Sequence, residues 1–158
     1  MNDDIIMFDF TDNDEIEMER REFEPLPAGK YPFEIVTYDK SRYDKAGGKI
    51  PQGCKVATFH FKLDASSVNR GEVTVKENYY LIGGKGFEWA PAKLRGLLEG
   101  VGLMDKDDTR IRLDCDKLVG KSGVLNLSLD PDKNDKTKLY NHVKSFVPKP
   151  KEEGDYDF

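Results

Sequence analysis

Five short segments in which apolar and polar residues alternate, one amphipathic helix between the third and the fourth, and glycine- or proline-rich turns at the junctions predict a mainly β domain. Alternation at period two places one face of each strand inward, and a single helical stripe can cover the open end of such a sheet. Order begins at the turn-rich Pro25-Leu26-Pro27-Ala28-Gly29. The first strand runs from about Lys30 to Lys40, with Tyr31, Phe33 and Ile35 on one face. A loop from Ser41 to Gly53, carrying Gly47-Gly48 and Pro51, leads to the second strand, about Lys55 to Asp64. There Ala57, Phe59, Phe61 and Leu63 face the core, while Val56, Thr58, His60 and Lys62 face away. Asn69-Arg70-Gly71 forms a turn into the third strand, about Glu72 to Ile82, which Gly83-Gly84-Lys85-Gly86 ends. The helix spans about Ala90 to Val101, its stripe made by Leu94, Leu97, Leu98 and Val101. Pro91 suits a first turn, and Gly100 and Gly102 suit an end. Met104 to Val119 has no regular pattern. The fourth strand is about Lys121 to Leu129, the loop Asp130 to Thr137, and the fifth strand about Leu139 to Val147. Pro148 and Pro150 then close the domain and lead the tail away.

Three strands, a helix and two strands is the order of an OB-fold, a five-stranded, partly open barrel with its helix between strands three and four. A β-sandwich and a split α+β sheet are the alternatives.

Charge divides the chain more sharply than its net of -5 suggests. Of 30 acids and 25 bases, residues 1–24 hold ten and two, and residues 152–158 hold four and none. Residues 25–151 therefore keep sixteen acids and twenty-three bases, a net of +7. The organisation expected is an acidic flexible arm (1–24), a net-basic domain (25–148) and an acidic tail (149–158). Such asymmetry points the middle toward nucleic acid or another polyanion.

Other classes find little support. No apolar run reaches the roughly 18 residues of a membrane helix, and the acidic start Met1-Asn2-Asp3-Asp4 is unlike a signal peptide. No membrane association and a cytoplasmic location are expected. Cys54 and Cys115 have no neighbour at metal-ligand spacing, so reduced thiols are expected, with no metal and no cofactor. Gly120-Lys121-Ser122 lacks the first glycine of a phosphate loop and enters a strand. Asp130-Pro131-Asp132-Lys133-Asn134-Asp135 lacks the glycine and final glutamate of a calcium loop. Asp105, Asp107, Asp108, Asp114 and Asp116 offer the acidic cluster that a metal-dependent nuclease would need, but Lys106, Arg110, Arg112 and Lys117 interleave them. No catalytic set stands out, and the chain is not expected to be an enzyme.

Several short pieces, in order, carry a resemblance: Leu26-Pro27-Ala28-Gly29-Lys30-Tyr31, Leu94-Arg95-Gly96-Leu97-Leu98 with Val101-Gly102, Leu118-Val119-Gly120-Lys121, and Tyr140-Asn141-His142-Val143-Lys144-Ser145-Phe146. Together they resemble a family of short phage proteins from replication and recombination modules, a domain family of unknown function whose members are held to bind single-stranded DNA. The end Glu152-Glu153-Gly154-Asp155-Tyr156-Asp157-Phe158 is similar to the acidic tip of bacterial single-stranded DNA-binding proteins, although it lacks their proline before the terminal Phe. The resemblance implies single-stranded DNA as ligand and replication or recombination proteins as partners. These would dock on Asp155, Tyr156, Asp157 and Phe158 in the host cell cytoplasm, and self-association is possible.

Single-strand binding needs cations for phosphates and flat rings for bases. The first loop and its flanks supply Tyr38, Lys40, Arg42, Tyr43, Lys45 and, at the start of the second strand, Lys55. The second strand offers His60 and Lys62, the third Lys76 and Tyr80, and the fifth Tyr140 and Lys144. Phe33, Phe59 and Phe61 are assigned to the core, and Trp89 to packing at the barrel mouth. The competing reading is a protein-interaction or DNA-mimic module built on the acidic arms.

Overall fold

The computed structural model describes residues 25–132 and 134–151. The arm 1–24 and the tail residues 152–158, with the docking positions Asp155, Tyr156, Asp157 and Phe158, lie outside the described residues. Five strands form one antiparallel, open sheet: β1 (Gly29–Arg42), β2 (Lys55–Asp64), β3 (Glu72–Tyr80), β4 (Ser122–Pro131) and β5 (Leu139–Phe146). Their order is β3-β2-β1-β4-β5. A helix, α1 (Trp89–Gly100), lies between β3 and β4, and a short one, α2 (Cys115–Leu118), precedes β4. The mainly β prediction holds, with the helix where its stripe placed it. The helical turn at Cys115–Leu118 falls in a stretch whose sequence has no pattern; four residues are too few for a periodic signal.

β1 is the longest strand because it serves two partners. Gly29–Glu34 pair with β4, and Phe33–Arg42 pair with β2. Pro32, which has no N–H to give, lies in the stretch paired on one side only. Between Ile35 and Thr37 the register slips by one residue, a β-bulge. Tyr31, Phe33 and Ile35 face the core before it, and after it Tyr38, opposite Phe59, takes the inner face. Simple alternation would have turned Tyr38 outward. At the β2–β3 turn Asn69 adopts a left-handed φ of 61°, and the Asp64 carboxylate accepts from the Ser66 N–H (3.0 Å).

The core joins Tyr31, Phe33 and Ile35 of β1 with Ala57, Phe59, Phe61 and Leu63 of β2, and with Leu94, Leu97 and Leu98 of α1. Leu125, Leu127 and Val143 complete it from β4 and β5. Val56, expected on the outer face, is buried as well. Phe33, Phe61 and Phe146 form a three-ring cluster with centroids 5.3–5.7 Å apart. The end of α1 crosses β4 at two glycines; a Cβ on Gly123 would stand 2.6 Å from the Gly100 carbonyl oxygen. The side chain of Asn141 clasps the segment leading into β1, accepting from Leu26 N–H (2.8 Å) and donating to the carbonyls of Leu26 (2.9 Å) and Ser128 (3.1 Å).

Beyond β5 the chain stays fastened. Val147 N–H donates to Val124, Lys149 N–H to Glu99 at the end of α1, and Lys151 Nζ lies 3.2 Å from Asp108. The edge strands β3 and β5 come into contact, with Glu77 and His142 facing each other at 3.9 Å. Among the described residues no helix is long and apolar enough to cross a membrane.

Candidate nucleic-acid interface

The outward residues at the end of β3, the long β1–β2 loop and the start of α1 converge on one row of rings. Tyr80 points outward, because its neighbour Tyr79 is buried against Ala57. The loop brings Tyr43 back to it: Tyr43 N–H donates to Cys54 and its carbonyl accepts from Gly53 N–H, which pins the loop base. The centroid of Tyr43 lies 6.0 Å from that of Tyr80, and Tyr80 lies 6.0 Å from Trp89, both edge to face. Trp89 is 42% exposed, so this row ends in an exposed indole. The sequence assigned Trp89 to packing. Its position argues otherwise in retrospect: it stands five residues before Leu94, about 140° round the helix from the buried stripe.

Beside this row lies a cleft of about 540 Å³ at the mouth of the sheet. The β-bulge aims Tyr38, Lys40 and Arg42 toward it, and Lys55 faces Arg42 across the ladder. Tyr38 is half-buried rather than free. Its ring packs 5.9 Å from Phe59, and its hydroxyl donates to Asp116 at 2.5 Å. That bond, with burial and the nearby acids adding to it, pushes the Tyr38 hydroxyl up to about 12. Lys40 Nζ sits 5.8 Å from the Tyr38 ring centroid. Arg42 donates to the Gly53 carbonyl (3.1 Å), which orients its guanidinium. Cys115 is buried in the same wall, and burial pushes its thiol up; Cys54 and Cys115 are both free thiols.

A second depression, about 410 Å³, follows the meeting of β3 and β5 and includes Thr58, Lys76, Asn78, Tyr80 and His142. Tyr80 thus belongs to both the ring row and this seam. Tyr140 stacks edge-on to His142 at 4.7 Å. On the outer face His60 contacts Asp39 (2.7 Å), and Lys62 lies between Glu34 (3.8 Å) and Glu72 (3.6 Å). Both side chains are thus engaged by carboxylates in place. Lys45 and Lys144 are exposed and stand outside these clusters.

The acids once grouped as 105–116 part company. Asp105 and Asp108 belong to a turn closed by Arg95, which donates to both their carbonyls at 2.7 Å. The Asp105 N–H and Lys151 together hold the Asp108 carboxyl below its usual range. Asp114 and Asp116 instead line the cleft. Among the described residues, no three Asp, Glu, His or Cys side chains come together as a metal site. No family model matches the sequence, and no curated protein matches it.

Proposed function

We propose that this chain is a single-stranded DNA-binding protein of OB-fold type, largely indifferent to sequence, acting in phage replication or recombination. The observation that carries the reading is the row of half-buried Tyr43 and Tyr80 ending in exposed Trp89, with the cations Lys40, Arg42 and Lys55 at the neighbouring cleft. Rings at the surface give successive bases a platform, and the cations neutralise the backbone alongside them. The sheet order, with β1 shared between β2 and β4 and the edges β3 and β5 in contact, supports the OB type. Lys76 and His142 extend a polar track along the seam. The acidic tip, with Asp155, Tyr156, Asp157 and Phe158, serves as the docking point for replication or recombination proteins in the host cytoplasm; its similarity to bacterial tips supports that part.

Trp89 is the single tryptophan, so its fluorescence reports directly on the platform. Oligo-dT is expected to quench it, and the affinity is expected to fall with salt at a log–log slope of about -0.7 per phosphate neutralised. Tyr80→Ala and Trp89→Ala should each weaken binding by about 1–3 kcal/mol. Oligo-dT binding that leaves Trp89 fluorescence and salt dependence flat would refute the reading.

A further inference from the structure

We infer that the cleft at the mouth of the sheet holds one nucleotide of a bound single strand, and that Asp114 and Asp116 make it prefer a base with an exocyclic amine over thymine. The inference rests on the single-strand reading above and deepens it from indifferent binding to one position of base choice.

The cleft has two walls of opposite sign. Lys40, Arg42 and Lys55 come from β1 and β2, Asp114 and Asp116 from the start of α2, and Val56, Leu81 and Leu113 complete the lining. Its volume of about 540 Å³ falls within the roughly 300–1,000 Å³ of small-molecule sites. A groove built for phosphate alone needs the cationic wall and is weakened by carboxylates across from it. Among the described residues neither aspartate is ion-paired with Lys40, Arg42 or Lys55, so both signs of charge are left to meet a ligand. A nucleotide satisfies both walls at once: its phosphate meets the cations, its flat ring covers the apolar lining, and its edge meets the acids.

The chemistry of that edge sets the preference. An ionised carboxylate only accepts hydrogen bonds. Cytosine, adenine and guanine each present an amine donor, whereas thymine presents carbonyl oxygens. Asp116 is held by the Tyr38 hydroxyl on one oxygen, which fixes the carboxylate and leaves its other oxygen able to accept. The ring row and the cleft meet at the β2–β3 edge: Tyr80 pairs with Val56, which lines the cleft, and Leu81 after it lines the cleft from the other face of the strand. A strand stacked on the rings delivers its next nucleotide there.

The test compares labelled oligo-dC and oligo-dT of equal length by fluorescence anisotropy with the full chain, at one salt concentration. Oligo-dC is expected to bind roughly five- to tenfold tighter. In the Asp114→Asn, Asp116→Asn double variant the ratio should collapse, while oligo-dT binds as well as before or better because two negative charges are gone. Equal affinity for the two oligonucleotides in the wild type overturns the pocket and leaves the single-strand reading standing. A ratio that persists in the double variant overturns the role of the acids. Failure of both oligonucleotides to bind overturns the single-strand reading and the pocket with it.

Discussion

Replacing Gly123 with alanine asks how tightly α1 is set against the sheet. Gly123 has no left-handed φ, so the backbone itself accepts a side chain and the cost is one of space. The new Cβ would stand 2.6 Å from the Gly100 carbonyl oxygen and 3.1 Å from two atoms of the Phe33 ring. A comfortable carbon–oxygen approach is about 3.3 Å, so α1 must retreat by about 0.7 Å. The carbonyl cannot rotate away as a side chain would. The end of α1 is also tied down, by Leu103 N–H to Leu98 (2.9 Å) and Lys149 N–H to Glu99 (3.0 Å). Overpacking of this kind costs about 1–3 kcal/mol, and the fixed partner puts Gly123→Ala at the upper end. Gly100→Ala meets Phe146 Cβ at 2.5 Å and should cost at least as much, because a Cβ moves only with its backbone. Gly96 supplies the control: it lies inside α1 with nothing within 4 Å of a Cβ, so alanine there removes only backbone freedom. That change should stabilise by about 0.5–1 kcal/mol. Thermal unfolding followed by circular dichroism separates the three, at about 3 °C per kcal/mol for a chain of this size. A Tm for Gly123→Ala at or above that of Gly96→Ala would refute the packing argument.

Asn141→Ala removes three hydrogen bonds to Leu26 and Ser128, and should cost about 1–3 kcal/mol in urea unfolding; unchanged stability would mean that the segment before β1 is held by Leu26 burial alone. Tyr79 is buried, and its hydroxyl has no partner among the described residues, so Tyr79→Phe should raise stability by about 1 kcal/mol. A loss instead would show that the hydroxyl is satisfied. Tyr38 gives a pH signature: its folded pKa of about 12 exceeds the ordinary 10.0, so its contribution is present in full below pH 10 and disappears as pH climbs through 12. Tyr38→Phe should flatten the stability–pH curve in that window, and a curve as steep as the wild type would contradict the Asp116 bond.

The strands were legible because their inward residues alternate and nothing local opposes them; Lys55–Asp64 reads as β2 from end to end. The helix was legible because Leu94, Leu97 and Leu98 fall on one stripe, all buried. The bulge after Ile35 was not, since an extra residue in a strand leaves no mark on composition. It decides the site nonetheless, as it turns Tyr38 and Lys40 into the cleft. Val56 shows the same limit from the other side: burial of an outward residue depends on loops that arrive from elsewhere. The ring row was half legible. Tyr43 and Tyr80 each neighbour cations in sequence or space, whereas Trp89 looked like packing until the helix face was fixed. The separation of Asp114 and Asp116 from Asp105 and Asp108 depends on Arg95, a contact no spacing rule reaches.

The division of β1 between two partners bears on how the chain acquires its shape during synthesis. β1, β2 and β3 form a meander of neighbours that can assemble as soon as they leave the ribosome. The partner of the Gly29–Glu34 half arrives only after nearly all of the remaining domain has been made, since Gly29 pairs with Leu127. Throughout that interval the nascent meander exposes an unpaired margin bearing Tyr31 and Phe33. Long-range pairing of this kind is slow to form and open to wrong partners meanwhile. Pro32 does not blunt that margin: Ile35 makes both of its backbone bonds toward β4, so Tyr31 and Phe33 bond on that side as well and the Pro32 nitrogen faces the other way, which leaves the margin its donors until β4 arrives.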